Sequence, residues 1–423
     1  MFRFPDGFLL GTATSSYQIE GDNVWSDWWY WAEKGKLPPA GKACNSWELY
    51  EKDLELMAGL GYAAYRFSIE WGRVFPEEGR PNEEALMRYQ GIIDLLRENG
   101  ITPMLTLHHF TLPAWFALRG GFEREENLEH WRGYVELIAD NIEGVELVAT
   151  FNEPMVYVVA SYVEGTWPPF RKNPLKAEKV AANLIRAHAI AYEILHGKFR
   201  VGIVKNRPHF IPASDSERDR KATDEIDYTF NRSLLDGILT GRFKGFMRTF
   251  DVPASGLDWL GMNYYNIMKV RAVRNPLRRF AVEDAGVSRK TDMGWSVYPK
   301  GIYDGLRAFA EYGLPLYVTE NGIATLDDEW RVEFIVQHLQ YVHKALKEGI
   351  DVRGYFYWSL VDNYEWAEGF RPRFGLVEVD YETFERKPRK SAHIYGEIAK
   401  KGEIRGELLE GYGLGEKLHH HHH

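Results

Sequence analysis

The segment Leu147-Val148-Ala149-Thr150-Phe151-Asn152-Glu153-Pro154 carries an apolar run and, where that run ends, an amide and a carboxylate. A short, almost uninterrupted apolar run is typical of a parallel strand that is buried on both faces. A carboxylate at the end of such a strand is expensive to bury unless it is paired or used in a reaction. The segment therefore predicts a buried strand that delivers a chemically useful group.

Seven other apolar runs along the chain resemble this one. The eight runs are residues 8–13, 64–70, 103–109, 147–152, 201–205, 259–265, 316–320 and 354–360. Amphipathic stretches with helical spacing lie between them, among them residues 47–60, 83–97, 176–196 and 327–346. Eight strand-then-helix units predict an α/β fold, a single (β/α)8 TIM barrel.

We expect residues 1–410 to form this barrel as one domain. Residues 411–423 are expected to be a C-terminal tail, in which His419 to His423 resemble an expression tag. The fifth unit is the weakest, because residues 206–223 are interpreted as a polar loop with two prolines.

Composition excludes several classes of protein. Hydrophobic residues make up 45% of the chain and charged residues 27%, which is an ordinary globular balance. The formal net charge of −9 disfavours nucleic acid as a partner. The single cysteine, Cys44, can form neither an internal disulfide nor a cysteine-based metal site. The excess of 40 Glu over four Gln favours a thermostable protein.

The sequence predicts a cytoplasmic protein, because we find neither a signal peptide nor a transmembrane helix. Residues 99–118 contain no Asp, Glu, Lys or Arg, but they include Pro103, Pro113 and two histidines. They are better interpreted as a buried strand and the loop that follows it than as a membrane span.

Tryptophan is unusually frequent, with 14 copies, and several cluster in the segment from Trp25 to Trp31. Such a cluster is compatible with core packing, with a platform for a ligand or with a membrane-interface belt. Peripheral membrane association through this segment therefore remains open.

A barrel places its chemistry at the carboxyl ends of its strands. Seven of the eight runs carry polar, ionisable or aromatic residues near their carboxyl ends: Gln18 just after the first, Arg66 within the second, His109, Asn152 with Glu153, Asn263 with Tyr265, Glu320, and Trp358. A structural ion pair can explain one such position, but seven converging positions indicate a functional site.

Glu153 and Glu320 are the candidate reacting groups, from the fourth and seventh strands. Cleavage of a glycosidic bond needs two carboxyl groups in different environments, one protonated and one ionised. Arg66 is a natural partner that would keep Glu320 ionised, although a structural role for it remains open. Tyr265 could donate a hydrogen bond to the same carboxylate.

A second set of residues has the chemistry that binds sugars. Hydroxyl groups require amides, carboxylates and N–H donors, and the C–H face of a sugar ring requires an aromatic surface. The candidates are Gln18, His109, Asn152, Trp358, Glu365 and Trp366.

The ordered motifs resemble glycoside hydrolase family 1, the retaining β-glucosidase and β-glycosidase family, from Phe4 to about residue 400. The motifs are Ser16-Tyr17-Gln18-Ile19-Glu20-Gly21, Tyr65-Arg66-Phe67-Ser68, Thr150-Phe151-Asn152-Glu153-Pro154, Gly261-Met262-Asn263-Tyr264-Tyr265, Val318-Thr319-Glu320-Asn321-Gly322, and Trp358 with Glu365 and Trp366. The Asp27-Trp28-Trp29 segment and the compact length resemble archaeal members.

The resemblance implies a role for each candidate. Glu320 would be the nucleophile and Glu153 the acid/base, without metal or organic cofactor. Arg66 and Tyr265 would hold Glu320, and Asn263 would support the site near Glu153. Sugar hydroxyls would be bound at the 2-position by Asn152, at the 3- and 4-positions by Gln18, His109 and Trp366, and at the 4- and 6-positions by Glu365. Trp358 would lie under the sugar ring.

The resemblance also implies the substrate, an unphosphorylated β-linked glycoside with an aryl, alkyl or sugar aglycone. The carboxylate of Glu365 would repel a phosphorylated sugar. Phe110 and Thr111 depart from the tryptophan and the acidic residue that the family usually has there. The alternatives are a non-catalytic sugar-binding barrel, or the same fold acting as a transglycosidase or with β-galactosidase or β-mannosidase preference.

Overall fold

The computed structural model describes residues 2–275 and 279–415. The expected tag, residues 419–423, lies outside the described residues.

Eight parallel strands close into a barrel. They are β1 (Leu9–Ala13), β2 (Ala64–Ser68), β3 (Thr102–His108), β4 (Leu147–Asn152), β5 (Arg200–Asn206), β6 (Trp259–Asn263), β7 (Leu316–Asn321) and β8 (Val352–Trp358). Each strand pairs in parallel with its neighbours in chain order, and β8 returns to β1. The predicted (β/α)8 fold is confirmed, and each predicted run falls within three residues of a strand at either end.

A long helix follows each strand and covers the outside of the barrel. These helices are α1 (Ser46–Leu60), α2 (Glu83–Glu98), α3 (Leu128–Asn141), α4 (Pro174–Leu195), α5 (Ser233–Thr240), α6 (Lys300–Ala310), α7 (Asp328–Lys347) and α8 (Lys390–Lys401). Their apolar faces pack on the outer faces of the strands in one hydrophobic cluster that extends from Phe4 to Leu408. A smaller cluster, which includes Met104, Val204 and Trp259, fills the barrel interior.

Short elements complete the loops. The helical ones are Ser16–Ile19, Asp27–Glu33, Trp71–Val74, Ala114–Leu118, Gly121–Glu123, Glu125–Asn127, Pro154–Val158, Val159–Glu164, Glu217–Ile226, Asp227–Arg232, Trp366–Glu368 and Gly406–Tyr412. The strand pairs are Phe2–Arg3 with Glu403–Ile404, Arg242–Lys244 with Thr249–Asp251, and Val377–Val379 with Arg386–Pro388. The expected C-terminal tail thus begins inside a helix, since Gly406–Tyr412 continues past residue 410.

The interpretation of residues 206–223 as a polar loop is wrong. This segment contains a strand, His209–Pro212, and most of a helix, Glu217–Ile226. The strand pairs with Ile267–Ala272, which in turn pairs with Phe280–Asp284, so that a three-stranded sheet stands above the barrel. The strand obtains its hydrogen bonds from a partner more than 50 residues away, which local composition does not reveal.

The strand register is irregular at the carboxyl ends of β4, β6 and β7. The shifts fall between Ala149 and Asn152, between Met262 and Asn263, and between Val318 and Asn321. Such irregularities re-aim side chains and are frequent beside active sites. Here they occur at the three strand ends from which the candidate residues project.

Candidate active site

The structure brings all the sequence-predicted site residues together at the carboxyl end of the barrel. Ten of them line one cavity of about 550 Å³: Gln18, His109, Asn152, Glu153, Asn263, Tyr265, Glu320, Trp358, Glu365 and Trp366. Arg66, the eleventh, contacts two of these side chains and is fully buried. The carboxyl-end location follows from the fold, as expected for a barrel of this type.

Both carboxylate oxygens of Glu320 accept a hydrogen bond. Arg66 donates from Nη1 to Oε2 of Glu320 at 2.6 Å, and the Tyr265 hydroxyl donates to Oε1, also at 2.6 Å. Burial, together with the Glu320 charge, raises the pKa of Tyr265 well above its ordinary value, so that this hydroxyl keeps the proton it donates. The hydrogen bonds from a guanidinium and a hydroxyl fix the direction of this carboxylate.

Asn152 connects the two halves of the site. Its Oδ1 accepts from Nη2 of Arg66 at 2.7 Å and from Nδ2 of Asn263 at 3.2 Å. Its Nδ2 lies 3.2 Å from Nε2 of His109. Burial, with the Arg66 charge as a second cause, lowers the pKa of His109 well below its usual value, so that the imidazole is neutral.

Glu153 has different surroundings from Glu320. Its carboxyl group accepts one hydrogen bond from an amide, since Asn263 donates from Nδ2 to Oε2 at 2.7 Å. Burial, and secondly the negative charge of Glu320, raises the pKa of Glu153 above that of an ordinary carboxyl group. Its backbone lies in the left-handed region, with φ at 46°. That conformation is uncommon for a residue with a side chain, and it turns the carboxyl group into the cavity.

The remaining predicted residues surround the same space. Trp358 and Trp366 stack near His109, with ring centroids 6.0 and 6.2 Å away. Gln18 already donates to Asn363 Oδ1 and to the Tyr364 carbonyl, which fixes its amide at the cavity wall. Burial, and then the charge of Glu320, raises the pKa of Glu365 to about 8.

Sequence reasoning missed the outer part of the cavity, which is apolar. Its walls come from the three-stranded sheet and from the helical turns after β4 and β5: Val156, Val159, Val163, Phe210, Phe230, Met268, Phe280 and Val282. One strand of this sheet, His209–Pro212, lies in the misinterpreted segment, so no signal placed the side chains of the sheet near the site. Glu70, a buried carboxylate behind the cavity, was also missed.

The tryptophan-rich segment is partly core. Trp28 is buried, with its ring 4.8 Å from Trp366 and 5.5 Å from Trp167 between centroids. Trp29 and Trp31 are half-buried on the same short helix, Asp27–Glu33. The segment therefore supports the wall of the cavity from behind.

Between residues 2 and 275 and between 279 and 415, no group of three His, Cys, Asp or Glu side chains could hold a metal ion. Over the same residues no helix has the length and apolarity needed to cross a membrane.

One cavity thus holds a carboxylate bound by a guanidinium and a hydroxyl, a carboxyl group with a raised pKa, and a polar rim beside an aromatic surface. A barrel with this site is of the glycoside hydrolase class, whose chemistry uses two carboxyl groups in different environments. The sequence model of glycosyl hydrolase family 1 matches residues 2–404. The chain belongs to this family, which confirms the resemblance.

Relatives match this chain over almost its whole length. A solved β-glycosidase from Pyrococcus horikoshii has 63% sequence identity and a TM-score of 0.97, covering 98% of this chain and 99% of its own. β-Glucosidase A of Thermotoga maritima is 34% identical over 95% of this chain and 99% of its own length. A β-galactosidase of Pyrococcus woesei is 33% identical over 96% and 100%.

Proposed function

We propose that the protein is a retaining β-glycosidase in which Glu320 is the nucleophile and Glu153 is the acid/base. It acts on small, unphosphorylated β-linked glycosides and removes the terminal sugar. The observation that carries the proposal is the contrast between the two carboxyl groups. Glu320 accepts hydrogen bonds from a guanidinium and a hydroxyl, whereas Glu153 has one amide donor and a raised pKa.

The first step forms a glycosyl-enzyme. A carboxylate oxygen of Glu320 attacks the anomeric carbon, and the bond from that carbon to the leaving oxygen breaks. Glu153 gives its proton to the leaving oxygen, so that the aglycone departs as an alcohol or phenol. The raised pKa of Glu153 keeps that proton available near neutral pH.

The second step returns the enzyme to its starting state. Glu153, now ionised, takes a proton from water while the water oxygen attacks the anomeric carbon. The bond to Glu320 breaks, and the sugar leaves with the β configuration that it had in the substrate. A sugar hydroxyl in place of water would give transglycosylation by the same step.

The polar residues around the pair are proposed to bind the sugar ring. Asn152, next to Glu153, would contact the 2-hydroxyl, where interactions strengthen in the transition state. Gln18, His109, Trp366 and Glu365 would bind the other hydroxyls, and Trp358 would lie under the ring. Residues 1–410 would serve this reaction as one catalytic domain.

The apolar outer walls of the cavity favour substrates with an apolar aglycone. Phe230 and Val159 belong to different helical turns and both line the cavity. We expect the KM of alkyl β-glucosides to fall with chain length by up to about fourfold per methylene, since each buried methylene contributes about 0.8 kcal/mol. Phe230→Asn should raise KM for octyl glucoside and leave KM for methyl glucoside unaffected. Equal KM values for alkyl glucosides of different chain length would contradict this assignment.

The decisive experiment follows hydrolysis of p-nitrophenyl β-glucoside by proton NMR. The expected first product is β-glucose, which then mutarotates. A first product with α configuration would exclude retention, and a lack of turnover with measurable sugar binding would favour the non-catalytic barrel. A panel of glucoside, galactoside and mannoside substrates would then rank the sugars.

Peripheral membrane association and a cytoplasmic location stay predictions. Membrane contact would depend on the half-buried Trp29 and Trp31, because Trp28 is committed to the cavity wall. Co-sedimentation with liposomes, comparing the native chain with Trp29→Ala/Trp31→Ala, tests the first, and cell fractionation tests the second.

A further inference from the structure

Glu70 is a buried carboxylate outside the cavity. It lies two residues beyond β2, immediately before the short helix Trp71–Val74, and is 1% exposed. Within residues 2–275 and 279–415 it has no ion pair with a lysine or arginine. A buried acid without a cation needs another reason for its presence.

Three hydroxyl groups surround this carboxylate. Its Oε1 accepts from the hydroxyls of Ser16 and Thr111, each at 2.8 Å, and its Oε2 accepts from the hydroxyl of Ser26. Ser16 and Ser26 belong to the loop after β1, and Thr111 to the loop after β3. A single side chain from the end of β2 thus joins the loops on both sides of it.

Both loops carry proposed sugar-binding residues close to these contacts. Ser16 lies two residues before Gln18, and Thr111 lies two residues after His109. The backbone N–H of Ser16 also donates to Ser68 Oγ at 2.7 Å, which fastens the first loop again to the end of β2. Displacement of either loop would move a side chain that faces the sugar.

The arrangement also accounts for a departure noted in the sequence. The family resemblance implies an acidic residue at the position of Thr111, and here Glu70 places its carboxyl group within 2.8 Å of the Thr111 hydroxyl.

We propose that Glu70 is a positioning residue, which fixes Gln18 and His109 for recognition of the sugar hydroxyls. The proposal rests on the proposed function, since it assumes that these two residues bind the sugar. Glu178 offers a matched control. It is also 1% exposed, but it lies on α4 and accepts hydrogen bonds from Met247 N–H, Arg248 N–H and the Arg248 guanidinium, outside the cavity.

The test compares Glu70→Ser with Glu178→Ser on p-nitrophenyl β-glucoside and on its 3-deoxy analogue. Glu70→Ser should lower kcat/KM for the parent about 30-fold, since misplacement by 1 Å can cost about 10²-fold. The loss on the 3-deoxy analogue should be smaller than about threefold, because the misplaced side chains have less to bind. Glu178→Ser should change kcat/KM by the same factor for both substrates.

A rescue variant keeps the test independent of folding. Glu70→Ser/Thr111→Asp exchanges the two groups, and should recover most of the parent kcat/KM and the melting temperature. Equal losses on both substrates, or unchanged kinetics in Glu70→Ser, would overturn the proposal. Titration calorimetry with deoxynojirimycin repeats the comparison without turnover, so that failure of the hydrolytic function is distinguished from failure of the Glu70 role.

Discussion

The guanidinium of Arg66 donates from Nη1 to Oε2 of Glu320 across 2.6 Å, in a pair that is almost wholly removed from solvent. The same guanidinium donates from Nη2 to Asn152. A planar fork can serve two acceptors in fixed directions, which a lysine ammonium cannot do. Arg66 therefore sets the direction of Glu320 relative to the residue that precedes Glu153.

This pair gives the first prediction. Arg66→Met should destabilise the protein by about 3–5 kcal/mol, because it leaves a buried carboxylate without its cation. Arg66→Lys should keep most of the stability but lose at least about 10²-fold in kcat through loss of fixed geometry. Thermal unfolding and steady-state kinetics measure the two effects. Arg66→Met/Glu320→Gln should regain stability; failure to do so would show that the pair is not what stabilises this region.

The second prediction assigns the two carboxyl groups by stereochemistry. Glu320→Gly should abolish hydrolysis, and added azide should give the α-glycosyl azide, because azide then attacks the face that Glu320 has left. Glu153→Ala with azide and an activated aryl glucoside should give the β-glycosyl azide, because the glycosyl-enzyme still forms. NMR of the anomeric proton distinguishes the products. A β product from Glu320→Gly would refute its role as the nucleophile.

The third prediction concerns the alkaline side of the pH profile. In the proposed mechanism Glu153 must carry a proton for the first step, so kcat/KM should fall as the pH rises through its pKa, which burial and the Glu320 charge raise. In Glu153→Ala, an activated substrate such as 2,4-dinitrophenyl β-glucoside needs no proton, and this alkaline fall should disappear. Persistence of the fall would assign it instead to Glu365, whose pKa is raised to about 8.

The repeated strand-then-helix pattern was enough to predict the barrel, since buried parallel strands must be apolar throughout and leave a readable signal. It was also enough to predict that Glu153 and Glu320 lie at the same end of the barrel, because the fold places the carboxyl ends of all the strands there. The strand His209–Pro212 could not be predicted, because its pairing with Ile267–Ala272 depends on distant residues. Glu70 was not found for the same reason, since its three hydroxyl partners come from two other loops.

The fourth prediction concerns stability and Asp27. Its Oδ1 accepts from the backbone N–H groups of Trp28 at 2.9 Å and Leu112 at 3.0 Å, which joins the loops after β1 and β3. Burial raises its pKa to about 8, so the folded state binds this proton more tightly than the unfolded chain does. The stabilisation is complete below the unfolded pKa of about 4, and it is lost as the pH rises towards 8.

Asp27→Asn isolates this effect, because an amide oxygen can accept both hydrogen bonds and carries no charge. We expect the variant to match the native chain at pH 4 and to melt at least about 2 °C higher at pH 9, where the native chain must bury an ionised carboxylate. Melting curves at a fixed scan rate from pH 4 to 9 provide the measurement, with Asp22→Asn as the exposed control from the same loop. If the two Asn variants shift equally with pH, general surface charge rather than the buried carboxyl group accounts for the pH dependence.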